Sequence, residues 1–499
     1  MRALALFAVA SVAPLTDDFR DVEAGFKKAW AAPSAATAET RAAAVNSLEA
    51  FDDERIVALC VDALEACEKR LEALAKELAS IDPEWTSLQN RDLSKEEWER
   101  HDALMERRAE IAEESAGESG IEERVVRLLG SREGSAVAAS LARAGAKHRS
   151  WRIRVLALRA IGESISGVAA ESLVSALSDP DSRVRIAAAD GIRERGATTP
   201  FDSLVRVLAT EKEWAVKVAI VSALARLKGA KSVGPLVSAL AREEGRVREE
   251  IAAALETITG QRFGTDPRPW HDWYKKNAAE EDTILAALPR PSSAKPARGF
   301  TYQGIETTSR GIVFVLDISD SMNDAAAAAE LPAEGVPDRS GEKRSKIDIM
   351  RDELVAAIRA LDEKALFNVI LYNHQVKPWQ GKLVAANSSN KNLALSFLLT
   401  ERASGGTNIF DALETAFTLA GIGATDKNYR SAVDTMFLVS DGAPSAGRVQ
   451  DPGQIVEEIA RINSLRKVKI HTVGVGVLHD RVFLERLARD NGGKYVARL

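Results

Sequence analysis

The stretch GIVFVLDISDSMN (residues 311–323) decides the fold of the C-terminal part of this chain. Gly311 to Leu316 is a continuous apolar, β-rich run. Such a run fits a strand covered on both faces, as in a parallel sheet. It ends at Asp317. Ser319 and Ser321 follow at alternate positions, which in extended or loop backbone turns all three side chains to one side. A second run, MFLV (436–439), ends at Ser440-Asp441-Gly442. Thr407 follows the turn Ser404-Gly405-Gly406 and precedes the helical pattern Ile409, Leu413, Phe417. Open α/β sheets place ligands at the carboxyl ends of their strands. The spacing therefore predicts that Asp317, Ser319, Ser321, Thr407 and Asp441 meet at one sheet edge.

All five are small oxygen donors, with no imidazole or thiol among them. That is the ligand chemistry of a hard cation. Magnesium takes about six oxygens and usually keeps some waters. Two carboxylates and three hydroxyls leave room in such a shell for water or an incoming carboxylate. Singly, Asp-Ser pairs after strands are ordinary turn and N-cap residues. It is the three pieces together, each after its own apolar run or turn, that point to metal.

DISDSM, GGTN and SDG, in this order, resemble the metal-ion-dependent adhesion site of von Willebrand factor type A domains, over about residues 306–499. The tail IHTVGVGVLHDRVFLERLARDNGGKYV (470–496) is similar to that family's last strand, last helix and closing strand. The resemblance implies a doubly wound, Rossmann-like α/β fold. It also implies Mg²⁺, or else Mn²⁺ or Ca²⁺, held by Asp317, Ser319, Ser321, Thr407 and Asp441. An acidic group from a protein partner would complete the shell. One position departs: the family often has Gly between the two serines, and here Asp320 stands there.

The N-terminal part is helical and repetitive. Val57, Leu64, Leu71 and Leu78 occupy one seam position, and Cys60, Cys67, Leu74 and Ile81 the other. This is a coiled-coil-like heptad pattern, predicted to stop at Asp82-Pro83, where proline breaks a helix. Ser94-x-x-Glu97 resembles a capping box opening a second helix to about Ser115. An antiparallel hairpin is the simplest reading; a parallel dimer is the alternative. The two cysteines lie roughly 10 Å apart along one helix, so they cannot bridge within it.

Farther on, Ile153-Arg154, Val184-Arg185, Val216-Lys217 and Val247-Arg248 recur every 31 or 32 residues, each opening an Ala-rich helix. Leu173, Leu204 and Leu236 mark partner helices. Two helices per unit in tandem make an α-solenoid, and DPDSRVRIAAADGI (179–192) resembles HEAT repeats or their shorter PBS-lyase-type variant. The repeated base is expected to pair with acids such as Asp181 and Glu213. Trp270 and Trp273 are expected to cap the array.

The predicted order is a candidate signal peptide (1–13), a helical hairpin region (14–125), a HEAT-like solenoid (126–275), a Pro-rich linker (276–305) and the α/β domain (306–499). Within that domain, 322–345 reads as an insertion beside the metal loop, carrying Asp324, Glu330, Glu334 and Asp338. The opening MRALALFAVASVAPLTDD (1–18) has a short apolar segment after Arg2, which predicts export. A buried first helix with a cytoplasmic protein is the alternative. No stretch reaches the roughly 20 apolar residues of a membrane span.

The net charge of −6 argues against nucleic acid as the main partner. There is no phosphate-binding GxxxxGK, HExxH or serine elbow. His374 and His471 fall at strand segments and read as structural. These absences favour a binding protein over an enzyme: a metal-dependent head capturing a carboxylate, with the repeats as a second surface. An intracellular scaffold or chaperone-like subunit, for example with an ATPase, is the alternative. Oligomeric state stays open.

Overall fold

A computed structural model of the protein describes residues 19–31, 37–88, 93–164, 166–167, 170–196, 200–227, 229–277, 299–326, 344–419 and 433–498. The candidate signal peptide, most of the linker, and Glu330, Glu334 and Asp338 lie outside the described residues. An all-helical N-terminal region precedes an α/β domain. The chain divides into two compact units, Met1–Ala75 with Glu114–Ala169, and Lys76–Glu113 with Ala170–Leu499. Among the described residues no helix is long and apolar enough to cross a membrane.

Helices α1 (Phe19–Ala31), α2 (Ala38–Asn46), α3 (Arg55–Leu88) and α4 (Lys95–Gly130) come first. α3 and α4 pair antiparallel through a ladder of ion pairs: Arg70 with Glu114, Glu77 with Arg107 at 2.7 Å, and Glu84 with Arg100 at 2.6 Å. Each rung steps seven residues along α3 while stepping back seven along α4, two helical turns on each. Of the seam residues, Val57, Cys60, Leu64, Cys67 and Leu74 are buried, and Leu71, Leu78 and Ile81 are half-buried. α3 and α4 thus form the antiparallel hairpin.

Two expectations fail here. α3 does not stop at Asp82-Pro83 but runs on to Leu88, with Pro83 inside it. An interior proline costs about 3 kcal/mol. Beyond it, however, Asp82 accepts Arg108 Nε at 2.8 Å, and the Arg108 guanidinium lies 3.5 Å from the centre of the Trp85 ring. Contacts to α4 thus hold the last turns in helix. α4 likewise passes Ser115 and reaches Gly130, because Glu118 is buried against Arg41 (3.0 Å) and Ile121, Val125 and Leu128 continue its buried face.

α5 (Ser135–Ala146) and α6 (Trp151–Glu163) complete the first unit. In the second, α7 (Ala170–Ala176) and α8 (Ser182–Arg195), α9 (Phe201–Thr210) and α10 (Trp214–Arg226), and α11 (Val233–Leu240) and α12 (Gly245–Thr259) form successive pairs. Val184, Val216 and Leu236 are wholly or almost wholly buried. Of the repeated bases, Arg185 reaches Glu211 at 2.8 Å and Lys217 reaches Glu243 at 2.7 Å, each 26 residues onward. Asp181 caps α8 by accepting the Arg183 amide at 2.9 Å. Arg185 and Lys217 thus join their own repeats to the next, while Arg154 donates to His148 O and Arg248 to Glu243 O. α13 (Pro267–Asn277) closes the array with Trp270 and Tyr274 buried, while Trp273 is only half-buried.

The α/β domain starts with a hairpin, β1 (Phe300–Tyr302) and β2 (Ile305–Thr307). There follow β3 (Gly311–Asp317), α14 (Lys346–Ala360), β4 (Leu366–Tyr372), β5 (Val376–Pro378), β6 (Val384–Ala385), α15 (Ser388–Leu398), α16 (Ile409–Leu419), β7 (Thr435–Ser440), α17 (Pro452–Asn463), β8 (Lys469–Val475), α18 (Arg481–Asp490) and β9 (Tyr495–Arg498). The sheet order is β5-β4-β3-β7-β8-β9, with β6 also on β4. β4, β3, β7, β8 and β9 are parallel, and β5 and β6 are antiparallel.

β3 is buried along its whole length, so its side chains divide by parity. Ile312, Phe314 and Leu316 pack with Leu354 and Ile358 of α14. Val313 and Val315 pack with Leu413 and Phe417 of α16 and Ile455 and Ile459 of α17. Helices cover both faces, which fixes β3 at the centre and its carboxyl end at the middle of one sheet edge. His374, expected at a strand, lies instead in the bend between β4 and β5; His471 is on β8.

Candidate metal centre

The carboxyl ends of β3 and β7 lie side by side, because Leu316 pairs with Val439 in parallel register. Asp317 closes β3 and Asp441 follows β7. After Asp317 the chain enters a single short helical turn, Asp320–Asn323. This turn is pinned by the Asp320 amide donating to Gly405 O at 3.0 Å and the Ser404 amide to Ile318 O at 2.8 Å. The Gly-containing turn before Thr407 is thereby tied directly to the Asp-Ser loop. Among the described residues the non-glycine positions with positive φ are Gln303 and Lys467, so Asp320 carries no left-handed strain. An aspartate fits where the family often has glycine.

Four of the five expected donors form one hydrogen-bonded chain. Asp317 Oδ1 accepts the Ser319 amide at 2.8 Å. Ser319 Oγ and Ser321 Oγ are 3.3 Å apart, and Ser321 Oγ donates to Asp441 Oδ1 at 2.7 Å. Thr407 arrives through the turn after β7: a Cβ placed on Gly442 would be 3.9 Å from Thr407 Oγ1. Its backbone is fixed by the Thr407 amide donating to Ser445 Oγ at 3.0 Å and the Asn408 amide to Asn373 O at 2.8 Å. Asp317, Ser319, Thr407 and Asp441 are all buried, with Asp317 fully excluded from solvent (0%).

Three residues not singled out by sequence complete the surroundings. Asp317 Oδ2 accepts Ser440 Oγ at 2.8 Å and Tyr372 OH at 3.4 Å. Asp441 Oδ2 accepts Lys346 Nζ at 2.8 Å. Ser440 could have been found as the residue before the Asp-Gly turn, whereas nothing in local spacing points to Tyr372 or Lys346.

Burial pushes the Asp317 carboxyl up to about 6, against the hydrogen bonds from Ser319 and Ser440 that pull it down. Burial raises the Tyr372 phenol too, reinforced by the Asp317 charge. Burial alone would lower the Lys346 ammonium, but the Asp441 hydrogen bond and charge outweigh it and hold it above the usual lysine range. A buried carboxylate raised in this way is one that lacks enough positive charge around it. Hydroxyls and carboxylates on a rigid strand edge supply hard-cation ligands, so the residues present fit a divalent ion. Among the described residues no group of three or more Asp, Glu, His or Cys side chains forms a rival centre.

Residues 336–497 match the family model for the von Willebrand factor type A domain. The C-terminal region is a von Willebrand factor type A domain. Residues 137–221 and 170–256 match HEAT repeats. Inter-alpha-trypsin inhibitor heavy chain H4 of Homo sapiens is 31% identical over 195 residues, 39% of this chain and 19% of that protein. The heavy chain 4 of Mus musculus is 27% identical over 278 residues, 52% of this chain and 27% of that protein. This chain thus spans between about a fifth and about a quarter of the length of these curated relatives. Among solved structures, the von Willebrand factor type A protein from Catenulispora acidiphila is similar at 18% identity and a TM-score of 0.30, covering 39% of this chain and 40% of that one.

Proposed function

We propose that this chain is a metal-dependent binding protein whose type A domain takes a carboxylate of a protein partner. Asp317, Ser319, Ser321, Thr407 and Asp441 would hold the ion, with Mg²⁺ expected and Mn²⁺ or Ca²⁺ as substitutes. The observation that carries the reading is the continuous chain of oxygen donors from Asp317 through Ser319 and Ser321 to Asp441, set on two adjacent strand ends. When bound, a divalent cation supplies the charge that Asp317 lacks and an open position for an acidic ligand.

The chain's own residues prepare that site. Tyr372 and Ser440 orient Asp317 by donating to its Oδ2, and Ser321 orients Asp441. The bond between the Asp320 amide and Gly405 keeps the two loops together. No catalytic acid–base pair belongs to this reading, and neither does nucleic acid. The HEAT repeats would add a second interaction surface, raising avidity without new chemistry. Export is part of the same reading, as is the division at residues 125, 275 and 305.

Calorimetric titration of the full chain with Mg²⁺ and Mn²⁺ tests it, wild type against Asp317→Ala and Asp441→Ala. Saturable binding lost in both variants is the expected result. A folded wild type that binds neither ion would refute the reading.

A further inference from the structure

Lys346 is the first residue of α14, and its charge stands at the unfavourable end of that helix. A helix N-terminus carries partial positive charge and disfavours a cation. The side chain is nevertheless buried, at 8% exposed. Its ammonium lies 2.8 Å from Asp441 Oδ2, 3.3 Å from Ser321 O and 3.4 Å from Asp324 Oδ2. All three oxygens belong to the metal site or its loop.

The placement is built rather than incidental. The Lys346 amide donates to Asp324 O at 2.9 Å, and Ser345 and Asp348 form a capping box that fixes the first turn of α14. Over the alkyl stem lies Gly476, with φ of +71°. A Cβ there would come within 3.0 Å of Lys346 Cε, so a larger residue would crowd the stem. The loop after β8 and the start of α14 thus hold the ammonium against Asp441. Asp441 divides its two oxygens, Oδ1 to Ser321 and Oδ2 to Lys346.

We propose that Lys346 is a tethered cation of the metal site that neutralises Asp441 and thereby sets how tightly the site takes a divalent ion. The inference rests on the metal-binding reading above and concerns the regulation of that site. Asp317, Asp441 and Lys346 alone sum to a net charge of about −1 before a divalent ion binds and +1 afterwards; the exposed Asp324 carboxylate, 3.4 Å from the ammonium, adds a further, solvent-screened negative charge. Lys346 makes the loaded site one unit more positive than it would be without it, which favours an incoming carboxylate. Lys346 therefore weakens metal binding while favouring an acidic ligand over a neutral one. A unit charge a few ångströms from a bound ion is worth a tenfold change in affinity or more, even at an effective dielectric constant near 20.

The test uses full-length protein and Mn²⁺ alone as the probe, followed by calorimetry. Lys346→Gln keeps a hydrogen-bond donor toward Asp441 and removes the charge, and Lys346→Met removes both. Asp317→Ala in each background identifies binding at this site. The expected result is Mn²⁺ affinity raised about tenfold in Lys346→Gln, together with a lower melting temperature without metal that Mn²⁺ restores. A purely structural lysine would lower the melting temperature without tightening the ion. Equal or weaker Mn²⁺ binding in folded Lys346→Gln and Lys346→Met overturns the proposal while leaving the site intact. No Mn²⁺ binding in any folded protein, wild type included, overturns both the proposal and the reading beneath it.

Discussion

Glu249, on α12, accepts a hydrogen bond from Thr307 Oγ1 at 2.8 Å, which joins the last HEAT helix to the strand that leads into the type A domain. The same oxygen accepts the Thr308 amide and Thr308 Oγ1 (3.0 Å), while Lys469 at the start of β8 lies 2.9 Å from Glu250. The repeats and the amino-terminal strand edge of the domain are thus held by directed polar contacts within one compact unit. Glu249→Ala takes the acceptor from the Thr308 amide and leaves the Thr307 and Thr308 hydroxyls only Ser309 Oγ and Gly245 O to donate to. It is expected to cost about 1–3 kcal/mol, read as a lower midpoint in thermal or urea unfolding. A loss below about 0.5 kcal/mol would show that water replaces the carboxylate freely.

Asp317→Asn should separate stability from metal binding. The carboxyl is raised to about 6, so its neutral form is favoured in the fold. The stability it contributes is full below the ordinary carboxylate range and is lost as pH rises through 6. At pH 7.5 the buried charge is a cost, and Asparagine removes it. The metal-free variant is expected to melt higher than wild type at pH 7.5, by the equivalent of about 1–2 kcal/mol, and at nearly the same temperature at pH 4. Added Mn²⁺ should stabilise wild type and leave the variant unmoved. Equal Mn²⁺ shifts in both would remove Asp317 from the ligand set.

His471 predicts an acid limb. Burial, then the charges of Lys469, Arg246 and Lys494, push its imidazole down to about 3. Its Nδ1 accepts the Lys494 amide at 3.0 Å, and the ring stacks on Phe437 at 4.9 Å. The neutral ring is the folded form, so its contribution is present above pH 6.5 and lost as pH falls toward 3. That loss is about 1.4 kcal/mol per pH unit below 6.5. His471→Asn should be less stable at pH 7.5 through lost packing, yet lose less stability than wild type between pH 6.5 and 4.5. Parallel pH profiles would sink the assignment.

The two cysteines bear on the hairpin. Burial raises the Cys60 thiol to about 12, and raises that of Cys67 with help from the Glu118 and Glu122 charges. Native protein at pH 8 should react with a thiol-specific disulfide reagent at least about a thousandfold more slowly than free cysteine, and quickly in denaturant. Interchain disulfides under mild oxidation of native protein would revive the parallel-dimer alternative.

What sequence could reveal depended on how local the cause was. Asp317, Ser319 and Ser321 were visible because a buried strand and its following loop impose a spacing of two. Val184, Val216 and Leu236 were visible because each repeat buries the same position. The Arg185–Glu211 and Lys217–Glu243 pairs were not visible, since the solenoid brings these two bases to glutamates of the following repeat, 26 residues away. Pro83 was misread because its local cost is offset by Arg108, which arrives from another helix. Lys346 was missed for both reasons. It lies 95 residues from Asp441, and a lysine there contradicts the helix dipole.

The Ala326 amide donates to Arg344 O and the Lys346 amide to Asp324 O, each at 2.9 Å, with Ala325 and Ser345 bridged between them. Ala325-Ala326 and Arg344-Ser345 are therefore joined side by side, so the two positions that flank the intervening sequence are fixed next to Lys346. Closing a chain segment costs little more as it lengthens, about 0.6 kcal/mol for each doubling. A fluorophore-bearing peptide or a small reporter domain spliced between these two anchored positions would start and end beside the site and could signal arrival of a guest there without a residue of the sheet being changed.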